Sequence, residues 1–238
     1  MYLNKTSMYL DKTRVNDILS NTNPNDVLYV IQPDIIICHP SLLLNENHPK
    51  KHEHDLRKLL RELYVTKRTE HMKYVHIPNI NLYPSKTVNT LNNDQSDFRR
   101  WAIVKITPNF ELLHLSTAQY CFNVIGQFEI FNASLKKIPL TPYEPVPTQE
   151  NQEHKYSQDT MFSLFIHQTE SNKQIGTHLL TFIKNEGLKK LHIHKLSCLV
   201  NQENEPMNRL MNKVKYESKP AYKAFKRIKQ KFNYYFIE

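Results

Sequence analysis

Apolar and polar residues alternate with a changing period along the chain, and each change predicts a different element. Residues 1–24 are polar without a clear period and read as a loosely ordered or helical lead-in. Val27 to Cys38 carries short apolar runs broken by Gln32-Pro33-Asp34, the pattern of strand, turn and strand. From His54 to Tyr64, Leu56, Leu59, Leu60 and Leu63 line one face at helical spacing. Tyr74 to Ile77 reads as a strand, and 78–97 as a polar loop rich in Asn and Pro.

Strand signals then dominate. Trp101 to Ile106 and Phe110 to Leu115, joined by Thr107-Pro108-Asn109, predict a hairpin. Tyr120 to Ile125 and Gln127 to Phe131 extend it, with Gly126 at a bulge or kink. The stretch 138–160, with Pro139, Pro142, Pro145 and Pro147, reads as a linker or excursion between an amino-terminal portion, 1–137, and a carboxyl-terminal portion, 161–238. In the latter the pattern predicts a strand at Met161–His167, a helix at Gln174–Asn185, a strand at Leu188–Val200, helices at Glu205–Tyr216 and Lys219–Lys231, and an edge strand at Tyr234–Ile237. The class is α/β or α+β, with a mixed, largely antiparallel sheet flanked by helices.

Composition narrows the chemistry. There are three glycines in 238 residues, Gly126, Gly176 and Gly187. A dinucleotide fingerprint or a P-loop needs several glycines in one short loop, so both are excluded, as is a protein kinase. Three scattered cysteines, Cys38, Cys121 and Cys198, argue against a disulfide framework and for a reducing intracellular compartment. The expected setting is cytoplasmic, since neither a signal peptide nor a membrane-spanning run is present. Of the net charge of +9, most falls in 186–238, which holds 12 Lys/Arg against 5 Asp/Glu. Such a basic end suits an anionic cofactor, nucleic acid or an acidic membrane.

Around Gly176 the pattern is a strand, Phe165-Ile166-His167, then a loop, Ser171-Asn172-Lys173-Gln174-Ile175-Gly176, opening a helix through Thr177. A helix amino terminus offers unpaired N–H groups and partial positive charge to a phosphate. With the strand and helix that follow it, the stretch 162–216 resembles the core of the GCN5-related N-acyltransferase (GNAT) family. The resemblance implies acetyl-CoA or another acyl-CoA as cofactor and an amine-bearing small molecule or protein as acceptor. It assigns the cofactor to Phe165, Ile166, His167, Asn172, Gln174, Ile175, Gly176, Thr177 and Asn204. Two of the family's usual loop glycines are Asn172 and Gln174 here, Ser171 replaces its Arg or Gln, and Met211 stands where its last helix carries a Tyr. Val214-Lys215-Tyr216 replaces the small turn after that helix, which predicts that the helix runs on.

Direct attack of an amine on a thioester needs a base and oxyanion donors. Glu111, Glu129 and His167 on neighbouring strands are candidate bases, and Tyr120 a candidate acid. Cys121 reads as a buried strand thiol, with His114 or His194 as its base if it were a nucleophile instead. His48, His52 and His54, or His192 and His194 on one strand face, lack further ligands at recognised spacing, so no metal is expected. The alternative is a non-catalytic protein whose helix at 219–231, with Tyr222, Phe225, Ile228 and Phe232 among lysines, presents a basic–aromatic surface to nucleic acid, anionic lipid or a protein partner.

Overall fold

The computed structural model describes residues 8–24, 26–32, 34–43, 98–108, 119–132, 160–225 and 228–238. The readings at 54–64, 74–77, 110–115 and 138–159 lie outside these. The sheet is mixed and mostly antiparallel, flanked by helices, as the sequence pattern predicts. The chain divides into two compact units, Met1–Glu129 with Leu164–Ile175, and Ile130–Ser163 with Gly176–Glu238.

In the first unit, β1 (Met8–Asp11) leads into α1 (Lys12–Ser20), followed by β2 (Val27–Gln32), β3 (Ile35–Cys38), β4 (Phe98–Pro108), β5 (Gln119–Asn132) and the latter half of β6 (Thr160–Ile166). The hydrogen-bonded order is β2-β3-β4-β5-β6, with β1 also on β5. From Met8 to Ser20 the lead-in is a short strand followed by a helix. Val15 and Ile18 of α1 pack with Ile36, Cys38, Ala102, Val104, Phe122 and Val124 in one apolar cluster. The β3–β4 register sets Ile36 opposite Val104, so residues of like face meet.

Gly126 sits where β5 has no room for a side chain. A Cβ there would run into the Phe165 carbonyl oxygen of β6, and would lie 3.1 Å from Ile103 Cδ1 and 3.2 Å from Ile166 Cα. The alternation of faces along β5 also shifts here. Phe122 and Val124 share the cluster of Ala102 and Val104, whereas Phe128 stacks on Trp101, from the opposite face of β4, with ring centroids 5.9 Å apart. A one-residue slip of this kind is what a bulge produces. Gln127 and Glu129 lie in the interior here, and Gln127 Nε2 donates to Glu129 Oε1.

The second unit holds the first half of β6, α2 from Gly176 onward (the helix spans Ile175–Phe182), a π turn (Ile183–Gly187), α3 (Leu188–Leu191), β7 (Leu196–Asn201), α4 (Glu205–Lys213), β8 (Glu217–Phe225) and β9 (Ile228–Ile237). Its strand order is β6-β7-β9-β8. The β6–β7 ladder is parallel and comprises two register pairs, Thr160 with Leu196 and Met161 with Ser197.

Three predicted elements are corrected. The strand read at Leu188–Val200 forms only from Leu196 onward; its start is helical to Leu191, because Gly187 keeps a helical φ of −64° and the chain turns only at His192, whose φ is 54°. The helix read at 219–231 is instead the β8–β9 hairpin, with Glu217 opposite Phe236 and Phe225 opposite Ile228. Helical spacing of aromatics is a local signal, and pairing of β9 with β7 along its length outweighs it. Pro220 is tolerated because β8 is the outermost strand in that order. The basic–aromatic helix of the alternative reading is therefore not formed.

The last helix does not run on to Tyr216. Asn204 caps its start, Oδ1 accepting from Met207 N at 3.3 Å, and it ends in a Schellman motif. Tyr216 N donates to Met211 O at 3.2 Å and Lys215 N to Asn212 O at 3.1 Å. Lys215 takes the left-handed position, φ 56°, that glycine normally fills. Lys184 Nζ covers the carbonyls left over, donating to Val214 O at 3.3 Å and Lys215 O at 2.7 Å.

Gly126→Ala is expected to destabilise by about 1–3 kcal/mol, since the obstructing atom is main chain and cannot swing away; a urea melt measures it. Lys215→Gly is expected to stabilise by about 0.5 kcal/mol, the relief of left-handed strain exceeding the added chain entropy. A drop in its melting temperature would contradict this.

Candidate active site

β6 ends at Ile166, and His167 converts strand into turn. Its N–H donates to Ile125 O of β5 at 2.7 Å, and its carbonyl accepts from Glu170 N at 2.9 Å. The 3₁₀ turn Gln168–Glu170 is capped by the His167 ring, Nδ1 accepting from Thr169 N at 3.2 Å with Thr169 Oγ1 2.6 Å away. The turn thus engages the Nδ1 side of the His167 ring.

The loop that follows is exposed from Ser171 to Gln174, and Ile175, buried, opens α2. Asn172 has φ 66° and Gln174 φ 61°, both in the left-handed region. For a residue with a Cβ this conformation costs about 1–2 kcal/mol, less for Asn. These are the positions at which the GNAT resemblance places glycines, so the loop keeps a glycine-type backbone on other residues. Gly176 and Thr177 continue the first turn of α2, Gly176 buried and Thr177 partly so. The arrangement can present N–H groups to an anion, as left-handed turns and helix starts do.

Charged side chains frame the loop. Glu170 Oε2 accepts from Lys173 Nζ at 2.8 Å and lies 3.8 Å from Lys105 Nζ of β4. Neither Glu170 nor Lys105 was singled out by sequence reasoning, because Lys105 is 65 residues away and no local pattern joins them.

Other candidates are scattered. Glu129 is buried beside Gln127 in β5, and Tyr120 packs against the apolar cluster of the first unit. Glu111 and His114 lie outside the described residues. Phe165 also packs on that cluster, and Ile166 is partly buried. Asn204 is committed through its side-chain oxygen to capping α4. Met211 is fully buried. Tyr216 is not a ready substitute for a tyrosine there: its OH donates to Leu180 O at 3.2 Å, and burial pushes the phenol above its ordinary range.

Cys121 is a strand residue opposite Tyr9. Cys38 and Cys198 are buried, and burial alone pushes Cys38 up to about 12 and Cys198 further. His192 caps α3 and His194 lies in the bend after it, so they do not share a strand face. Among the described residues no group of three or more His, Cys, Asp or Glu side chains could hold a metal, and no helix is long and apolar enough to cross a membrane.

No family model matches the sequence, and no curated protein matches it. Solved structures match the fold. The microcin C7 self-immunity acetyltransferase MccE, determined with acetyl-CoA and AMP, superposes with a TM-score of 0.53 at 11% identity, over 87% of this chain and 93% of that one. A probable acetyltransferase superposes with a TM-score of 0.52 at 12% identity, over 87% of this chain and 94% of that one. The chain therefore has the fold of these acetyltransferases.

Gln174→Gly is expected to raise stability by about 0.5–1 kcal/mol and Asn172→Gly by less, since Asn tolerates left-handed φ better; paired thermal melts read the difference. Cys38 and Cys198 are expected to resist a thiol-alkylating reagent until the protein is unfolded, as thiols held protonated are poor nucleophiles. Peptide mapping before and after denaturation tests this.

Proposed function

We propose that this chain is an acyl-CoA-dependent N-acyltransferase that moves an acyl group from a thioester to an amine. The observation that carries this is the left-handed backbone at Asn172 and Gln174, in the loop immediately before α2. Strain of that kind persists where the surroundings impose it, and it clusters at ligand-binding loops. The likeness of fold to acetyltransferases supports the same reading, as does the short β6–β7 ladder.

In this reading the amides of Asn172, Gln174, Ile175, Gly176 and Thr177 receive the pyrophosphate. Main-chain groups of Phe165 and Ile166 pair with the amide-bearing arm. His167 contributes less main chain, because its N–H and carbonyl already serve β5 and the 3₁₀ turn. The acyl-CoA supplies the thioester, whose carbonyl carbon the acceptor amine attacks directly. The chain's own task is to take the amine proton and hold the developing oxyanion. Glu129 is our choice of base: it is a buried carboxylate oriented by the Gln127 amide.

Calorimetric titration with acetyl-CoA and with CoA tests the proposal. Saturable binding is expected, weakened at least about tenfold in Gln174→Glu, where a carboxylate would meet the phosphates at an exposed position that leaves folding intact. Gly176→Glu is expected to abolish it. A folded protein that binds neither ligand would overturn the reading. Glu129→Gln is expected to lower kcat while leaving acetyl-CoA binding unchanged.

A further inference from the structure

Glu170 is an unusual residue to find next to a loop read as a phosphate seat. Its carboxylate is only 12% exposed and faces two cations, Lys173 from the loop itself and Lys105 from β4. Lys173 sits between the two left-handed residues and its side chain is 47% exposed, free on most sides except where it meets Glu170. In this arrangement the carboxylate holds the charge that an incoming phosphate would seek. A lysine ammonium carries three donors on a flexible stem, so Lys173 can leave one anion for another without moving the backbone.

We propose that Glu170 acts as an internal competitor for phosphate: it holds Lys173, and to a lesser degree Lys105, and lowers the affinity of the loop for a pyrophosphate-bearing ligand. The inference rests on the acyl-CoA reading above and adds to it a residue that sets affinity from outside the ligand contacts. Pairing in the ligand-free protein keeps the loop's charge compensated. Binding transfers Lys173 from the Glu170 carboxylate to the ligand, and Glu170 then keeps Lys105 as its remaining partner. A residue that merely anchored the loop would have the opposite sign: an anchor is needed for binding, whereas a competitor opposes it.

The test is titration of the full chain with coenzyme A at low ionic strength, comparing wild type, Glu170→Gln, Lys173→Gln and the double variant, with a thermal melt of each. Glu170→Gln keeps the shape and removes the charge. It is expected to tighten coenzyme A binding about two- to fivefold, the range of a single exposed ion pair. Lys173→Gln is expected to weaken binding, and Glu170→Gln to bring no gain in its background, because the two residues act through one pair. Glu170→Ala, expected to behave as the Gln variant does, keeps the test open if Glu170→Gln does not fold. Unchanged or weaker binding in folded Glu170 variants, with wild type binding normally, would overturn the competitor role and leave the acyl-CoA reading intact. Absence of coenzyme A binding in every folded form would overturn both.

Discussion

β5 and β6 can lie as close as they do only because residue 126 has no side chain. The Phe165 carbonyl occupies the space a Cβ would need, and Ile103 closes it from β4. From that contact follow the bond from His167 N to Ile125 O, the end of β6 and the start of the turn that carries Glu170. Next to Gly126, Gln127 and Glu129 lie in the interior of a strand that is otherwise apolar there. A buried carboxylate is costly unless it is hydrogen-bonded, and the Gln127 amide meets that requirement. Packing at one glycine thus sets where the strand gives way to the loop.

The scarcity of glycine turns out to constrain the chain differently from what composition implies. None of its glycines has positive φ, whereas among the described residues Asn172, Gln174, His192 and Lys215 do. Glycine is used for close approach, at Gly126 and at Gly187, where a Cβ would lie 2.8 Å from Ile183 Cδ1. Left-handed turns fall to residues that pay a conformational penalty of about 1 kcal/mol or more each. Against a typical net stability of about 5–15 kcal/mol that is a sizeable load. Two of these sites have compensating bonds: Lys215 N and Tyr216 N close the Schellman turn, and His192 N donates to the end of α3. At the loop before α2 the Lys173–Glu170 pair spans the left-handed Asn172.

Electrostatics around that loop are local. The excess of lysines in the last quarter of the chain drew attention to a basic carboxyl-terminal helix, but the charges that meet the loop are Lys105 and Lys173, from outside that quarter. Lys195 and Lys219, which belong to it, instead lie over the Phe236 ring at 4.6 and 5.2 Å, and Lys195 pairs with Glu238. Cations there cover aromatic surface with their stems and ammonium groups, a packing role that net charge cannot reveal.

Much of the architecture was legible because the governing interactions are short in sequence. The apolar runs at 27–38, 101–106 and 161–167 became strands, and the runs after 174 and 205 became helices, since side-chain period and capping act within a few residues. The resemblance around Gly176 was legible for the same reason: strand, loop and helix are contiguous. Sequence alone also named Gly126 as a place where β5 would bend. It could not show that Asn172 and Gln174 keep a left-handed backbone, that 219–231 would pair as a hairpin beside β7, or that Lys105 would reach Glu170. Those outcomes depend on contacts between residues far apart in the chain, where the free energy of pairing and burial exceeds the small local preferences that a pattern records.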